Sequence, residues 1–316
     1  MTQSPSAPPG FVRRSISRVI RLCLAVFFCL SPITALVTLG WLNRRTCADI
    51  DVRLARGELP EARPNMLFPE HGRKGGWRNL WGSPVYVNFA SGIKLWLALA
   101  CWTAPVGAAW CVGWMAGWEA SFTKGYEVAG AWPFISLVAV MIAVPVFWLM
   151  PMIVAHQVAE RRVGSAFELR RILNLVRAAG WRYAFLTILI ALGCLGVFAA
   201  RGLPVFAEHL SDRVASGLAE ASAEFAAELR FAMTALLVIG LLLSRTIMAR
   251  TYAHAVSANA NGRQSGRFNF GLQGLLCASV WLAPIFVIYL AQFLNYHWWS
   301  WFNHPMLMLP WLGIFA

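Results

Sequence analysis

Apolar residues fall into six long runs, at 22–42, 95–118, 128–156, 183–200, 226–245 and 268–296, separated by polar connections. A helix needs roughly 20 apolar residues to cross about 30 Å of hydrocarbon, so the pattern predicts an all-α, polytopic membrane bundle. The second run has 24 residues and no charge, and the sixth has 29, enough to tilt or to bend at Pro284. The fifth is weaker. Its uncharged core, 231–244, holds 14 residues and must borrow helix from the segment before it. Ser31-Pro32 splits the first run into halves of about ten residues, each too short to span, and proline bends a helix by removing a backbone donor. The expectation is five clear spans plus an N-terminal segment that re-enters or spans, all within one transmembrane domain over 13–297.

The connections carry the orientation signal, because loops rich in Lys and Arg stay in the cytoplasm. Segments 1–21, 43–94, 160–182 and 245–267 each have a net charge of +4, whereas 119–127 is −1 and 201–230 is −2. From the second run onward, basic and acidic connections alternate. Loops 43–94 and 160–182 are therefore expected in the cytoplasm, with the C-terminus outside. The first run is basic on both flanks. A crossing with its N-terminus inside would invert every later loop, so a re-entrant or in-plane hairpin with both ends inside is preferred over an N-terminus held outside. The basic start resembles a secretory signal, but the run is too long for one and lacks a clear cleavage site, so it is expected to be retained. Residues 1–12 are polar and rich in Pro and Ser, and are expected to be disordered.

Three segments are amphipathic or aromatic. Arg161, Arg162, Arg170, Arg171, Arg177 and Arg182 surround Val163, Phe167, Leu169, Ile172, Leu173 and Val176. That mix suits a helix on the anionic inner leaflet, apolar side buried and arginines on lipid phosphates; a charged linker helix that only fixes topology is the alternative. Leu210, Val214, Leu218, Ala221, Phe225 and Leu229 form one helical stripe, with Glu220, Glu224 and Glu228 on another face. This helix is expected to run into the fifth span, its stripe covering the protein's outer face or docking a partner. The uncharged tail, 298–316, holds Trp298, Trp299, Trp301 and Trp311 and reads as an interfacial segment.

Composition agrees with a lipid solvent: 59% of the 316 residues are hydrophobic and 13% charged, against about a quarter charged in soluble domains. Seven cysteines, six of them inside apolar runs and none in a CxxC pair, read as packing residues. With the fifth run taken as its core 231–244, no ionisable residue lies between the run ends, which argues against an ion-coupled transporter or proton pump. Two histidines sit at similar depth, in Ala155-His156-Gln157-Val158 and Ala253-His254-Ala255-Val256, 98 residues apart. They are the candidate functional histidines, as a bis-histidine pair, the trace of a repeat, or simply interfacial residues. Gly113 and Gly117 form a GxxxG that permits close helix packing. His71-Gly72-Arg73-Lys74-Gly75-Gly76 offers amides and cations to an anion, but without the strand–loop–helix context of a P-loop it reads as a basic turn. No nucleophile motif, carboxylate pair, HExxH or nucleotide fingerprint occurs. No catalytic residue, metal or cofactor is expected.

The stretch from Gly117-Trp118-Glu119 to Gly125-Tyr126-Glu127, with His156-Gln157 and Gly180-Trp181-Arg182-Tyr183, resembles uncharacterised bacterial multi-pass inner-membrane proteins over the middle half of the chain. The resemblance implies a bacterial inner-membrane location and carries over no active-site residue. A non-enzymatic scaffold, assembly factor or subunit of a membrane complex leads the functional expectations, partnered by anionic lipids and by another protein or a second copy. Nucleic acid is not an expected partner. A lipid or small-molecule permease, with helices broken at Pro105, Pro145 and Pro284, or a lipid-modifying enzyme using His156 and His254, are the alternatives.

Overall fold

The computed structural model describes residues 11–29, 31–55, 84–122, 132–208, 212–262 and 266–294. Helices α1 (Phe11–Phe28) and α2 (Pro32–Arg53) form a hairpin. Ser31 is extended and Pro32 opens α2, where its missing N–H is not needed. The Thr34 hydroxyl donates to the Phe28 carbonyl at 2.7 Å, capping the end of α1. Thr38 donates back to Ala25 at 3.2 Å, and Ala25, Val26 and Cys29 pack on Trp41 and Leu42. The two helices are thus antiparallel, and the basic start of α1 lies at the same end as Arg53. The break between them falls at Ser31-Pro32.

Helix α3 (Pro84–Phe122) packs antiparallel on α2 at an unusually close crossing. A Cβ built on Gly40 would fall on the Asn88 carbonyl, and one on Gly92 would fall on the Leu36 carbonyl. Helix α4 (Trp132–Glu160) is the most enclosed of the apolar helices and packs extensively on α3, with Ala139 and Ala143 fully buried in the core. Pro105 lies inside α3, and Pro145 and Pro151 inside α4, without ending either helix.

A short 3-10 turn over Val163–Phe167 leads from α4 into α5 (Leu169–Ala179). Gly180, with φ +57° and ψ −139°, ends α5 in a backbone conformation that suits glycine, and α6 (Trp181–Glu208) leaves at 102°. Part of the apolar set expected on lipid is covered by protein: Ile172, Leu175, Val176, Ala178 and Ala179 are buried, with the helix packed chiefly on α7 and α4. Protein neighbours reach that face first because the Gly180 bend folds α5 across the end of the bundle. What this segment leaves exposed is apolar at its flanks, at Val163, Phe167, Leu169 and Trp181.

Helix α7 (Asp212–Ala260) is one 49-residue helix, so the acidic segment does run into the fifth apolar run. Its apolar portion, Thr234–Ala260, extends well past the run ending at 245 and therefore takes in Arg245 and Arg250. Helix α8 (Arg267–Leu294) is continuous through Pro284 and packs on α6 and α4.

Among the described residues, four helical stretches are long and apolar enough to cross a membrane, or five if α5 and α6 count as one bent span. Their outward faces carry Leu97, Met141, Leu236, Leu275 and Phe286, each substantially exposed. Such faces need a hydrocarbon solvent. The chain is a multi-pass, all-helical membrane protein. Residues 1–10, the basic turn at 71–76 and the aromatic tail at 298–316 lie outside the described residues.

Candidate functional site

Pairings between elements gather several helix ends at one end of the bundle. Gln157 of α4 donates to the Lys94 carbonyl of α3 at 3.1 Å, and Arg161 pairs with Asp51 of α2 at 2.7 Å. Arg177 of α5 lies over the Phe270 ring of α8 at 4.8 Å. The basic segments therefore converge although they are far apart in sequence.

At the centre of this end is His156, fully buried in the last turns of α4. Its Nε2 is 3.1 Å from Glu168 Oε2, and its Nδ1 is 2.9 Å from the Tyr252 hydroxyl of α7. An ionised carboxylate only accepts, so Nε2 carries a proton, and a neutral ring then accepts the tyrosine proton at Nδ1. Glu168 stands at the junction of the 3-10 turn and α5, where its backbone carbonyl receives the Ile172 N–H at 3.0 Å. The same carboxylate receives Arg162 at 3.3 Å and Arg171 at 3.3 Å, while Arg171 also reaches Glu160 at 3.0 Å. The hydrogen bond from His156, with Arg171 beside it, holds the Glu168 carboxyl below its ordinary range.

Around this centre the 3-10 turn is pinned to α3. The Trp102 indole donates to the Ala166 carbonyl at 3.0 Å and stacks on Phe167, with centroids 6.2 Å apart and planes at 8°. On the α2 side, Arg161 Nε donates to Cys47 Sγ at 3.3 Å, and Arg161 holds this position with a positive φ of 55°. Burial pushes the Cys47 thiol up, which suits an unreactive packing cysteine.

A carboxylate, imidazole and hydroxyl in a row is a proton-transfer geometry when one end is open to substrate. Here the imidazole is 0% exposed and Tyr252 is 1% exposed, and only the Glu168 carboxylate, 34% exposed and held by Arg162 and Arg171, meets solvent. The arrangement ties α4, α5 and α7 together.

Of the six arginines singled out in the sequence, Arg161, Arg162 and Arg171 are drawn into ion pairs, Arg177 stacks on Phe270, and Arg170 and Arg182 are exposed. His156 and His254 do not form a pair within this network. The ring partner of His156 on α7 is Tyr252, and His254 points about 200° around the helix from it at 100° per residue. His254 is half-buried. Gly113 and Gly117 lie on α3, but their surroundings fall outside the described residues. Among the described residues no three His, Cys, Asp or Glu side chains converge in a way that could hold a metal ion.

Sequence reasoning passed over Glu168, Tyr252, Asp51 and Arg245. Glu168 is twelve residues from His156 and Tyr252 is 96 away, so neither separation follows a helical or strand period. Gly40 and Gly92 were also missed, since one glycine on each of two helices leaves no GxxxG string. No protein family, curated protein or solved structure matches the chain.

Proposed function

We propose that this is a bacterial inner-membrane protein with a structural role: a scaffold, assembly factor or subunit of a larger membrane complex. The observation that carries the reading is the burial of the His156–Tyr252 pair, which together with the half-exposed Glu168 clamps three helices. The prolines that a permease would use to break helices around a path sit inside continuous helices instead. The convergence of basic segments supports a sidedness as well. On the rule that Lys- and Arg-rich connections stay inside, that end faces the cytoplasm, loops 43–94 and 160–182 are cytoplasmic, and the C-terminus is outside. Exposed Val163, Phe167, Leu169 and Trp181, beside exposed Arg170 and Arg182, supply a contact zone for the anionic inner leaflet.

The test is gentle-detergent purification from the native membrane, with mass spectrometry of co-purifying proteins. A stoichiometric partner or a defined homo-oligomer is expected. A monomer without partners across growth conditions would sink the scaffold reading.

A further inference from the structure

We propose that Arg245 is the cation of a buried anion site, in the seam where α7 passes from the α1–α2 hairpin into the main core. Its ligand is a phosphate-bearing group, either the phosphodiester of a membrane lipid or free phosphate. Arg245 is 9% exposed, its Nη1 has no hydrogen-bond partner, and among the described residues no ion pair reaches it. On one side along α7, Val238, Leu241 and Leu242 pack against the hairpin residues Ala25, Val26, Trp41 and Leu42. On the other, Met248, Ala249 and Tyr252 belong to the main core. The side chain is therefore enclosed by protein on the inner face of a membrane-spanning helix.

A guanidinium does not escape this position by losing its proton. An unpaired cation in such surroundings is strongly disfavoured, so intramembrane arginines are paired with an anion or belong to a functional pathway. Among the described acidic side chains at the cytoplasmic end, Asp51 is engaged by Arg161, Glu160 by Arg171, and Glu168 by Arg162, Arg171 and His156, and Asp49 makes no ion pair with Arg245. No described acidic side chain supplies the counter-charge. Arg250, exposed on the same helix, is about 7 Å further along at 1.5 Å per residue, so Arg245 lies within a side chain's length of the polar boundary. Phosphodiesters are the most abundant anions at that depth, and the planar fork of a guanidinium matches two phosphate oxygens at once. A carboxylate from a second protein is the rival and is separated by the test below. The inference is independent of the structural role proposed above, since a partner-free monomer would still bind the anion.

The experiment uses the full chain in mild detergent after exhaustive delipidation. Thermal unfolding and native mass spectrometry are followed during titration with phosphatidylglycerol, with diacylglycerol of the same chains, and with inorganic phosphate. The expected result is that phosphatidylglycerol raises the Tm and leaves one retained lipid, while diacylglycerol does neither. Arg245→Gln should weaken the response about ten- to a hundred-fold, as loss of charge-assisted hydrogen bonds implies, and Arg250→Gln should leave it unchanged. Should Arg245→Gln fail to fold, Arg245→Lys keeps the charge without the fork and should bind more weakly than wild type. Stabilisation by phosphatidylglycerol alone assigns a lipid headgroup, and stabilisation by inorganic phosphate assigns free phosphate. No response in wild type, an equal response in Arg245→Gln, or a partner carboxylate cross-linked to position 245 would overturn the proposal.

Discussion

At the residue scale, the two hydrogen bonds on His156 make separate predictions. Tyr252→Phe removes the donor to Nδ1 and leaves a buried acceptor unsatisfied, so it should destabilise the protein by about 1–3 kcal/mol. Thermal unfolding in detergent reads this directly, and an unchanged midpoint would mean the ring is held by packing alone. Glu168 titrates instead. Its carboxyl is held below the ordinary value of about 4.3 by His156 and Arg171, so its contribution is complete above that value. The contribution is lost as pH falls through the lower folded-state pKa. Wild-type Tm should therefore drop more steeply below about pH 5 than that of Glu168→Gln, which has no carboxyl to protonate. Equal slopes would remove Glu168 from the acid response.

Among the elements, the α2–α3 crossing makes the sharpest demand. Backbone carbonyls occupy the space a side chain would need at Gly40 and Gly92, and carbonyls cannot yield without the helices separating. Gly40→Ala or Gly92→Ala should destabilise by about 1–3 kcal/mol or more, in line with overpacking elsewhere. The control is Gly193→Ala on the exposed face of α6, where open space surrounds the new methyl and the change should be neutral or mildly stabilising. A similar loss at all three positions would mean the crossing is not special. The α5 segment shows how an element misleads when read alone: its stripe is as suited to a lipid surface as to a protein core. The bend at Gly180 decides between them by turning α5 onto α7.

For the whole molecule, the arrangement predicts which positions an impermeant reagent reaches. In a cysteine-free background, Ser4→Cys and Gly164→Cys should be protected from a membrane-impermeant maleimide in intact cells, and Ala316→Cys should react. Labelling of Ser4→Cys in intact cells would mean the first apolar run crosses the bilayer, against the folded-back hairpin. Labelling of Gly164→Cys would reverse the sidedness drawn from the basic connections.

What the chain's order of residues determined by itself was its solvent and its rhythm. Long uncharged runs admit hydrocarbon and little else, and the proline at position 32 marks a break because the missing donor is local chemistry. Helical continuity through the acidic segment before the fifth run was equally legible, because its stripe kept one period up to that run. Contacts between distant positions were decided only in three dimensions. Tyr252 replaces His254 as the partner of His156 because helix rotation, which a short motif does not encode, sets which side chain faces inward. Arg245 ended its run in the sequence and so looked like a boundary residue. Tertiary packing extended the helix beyond it and closed the hairpin beside it, turning a boundary charge into a buried one.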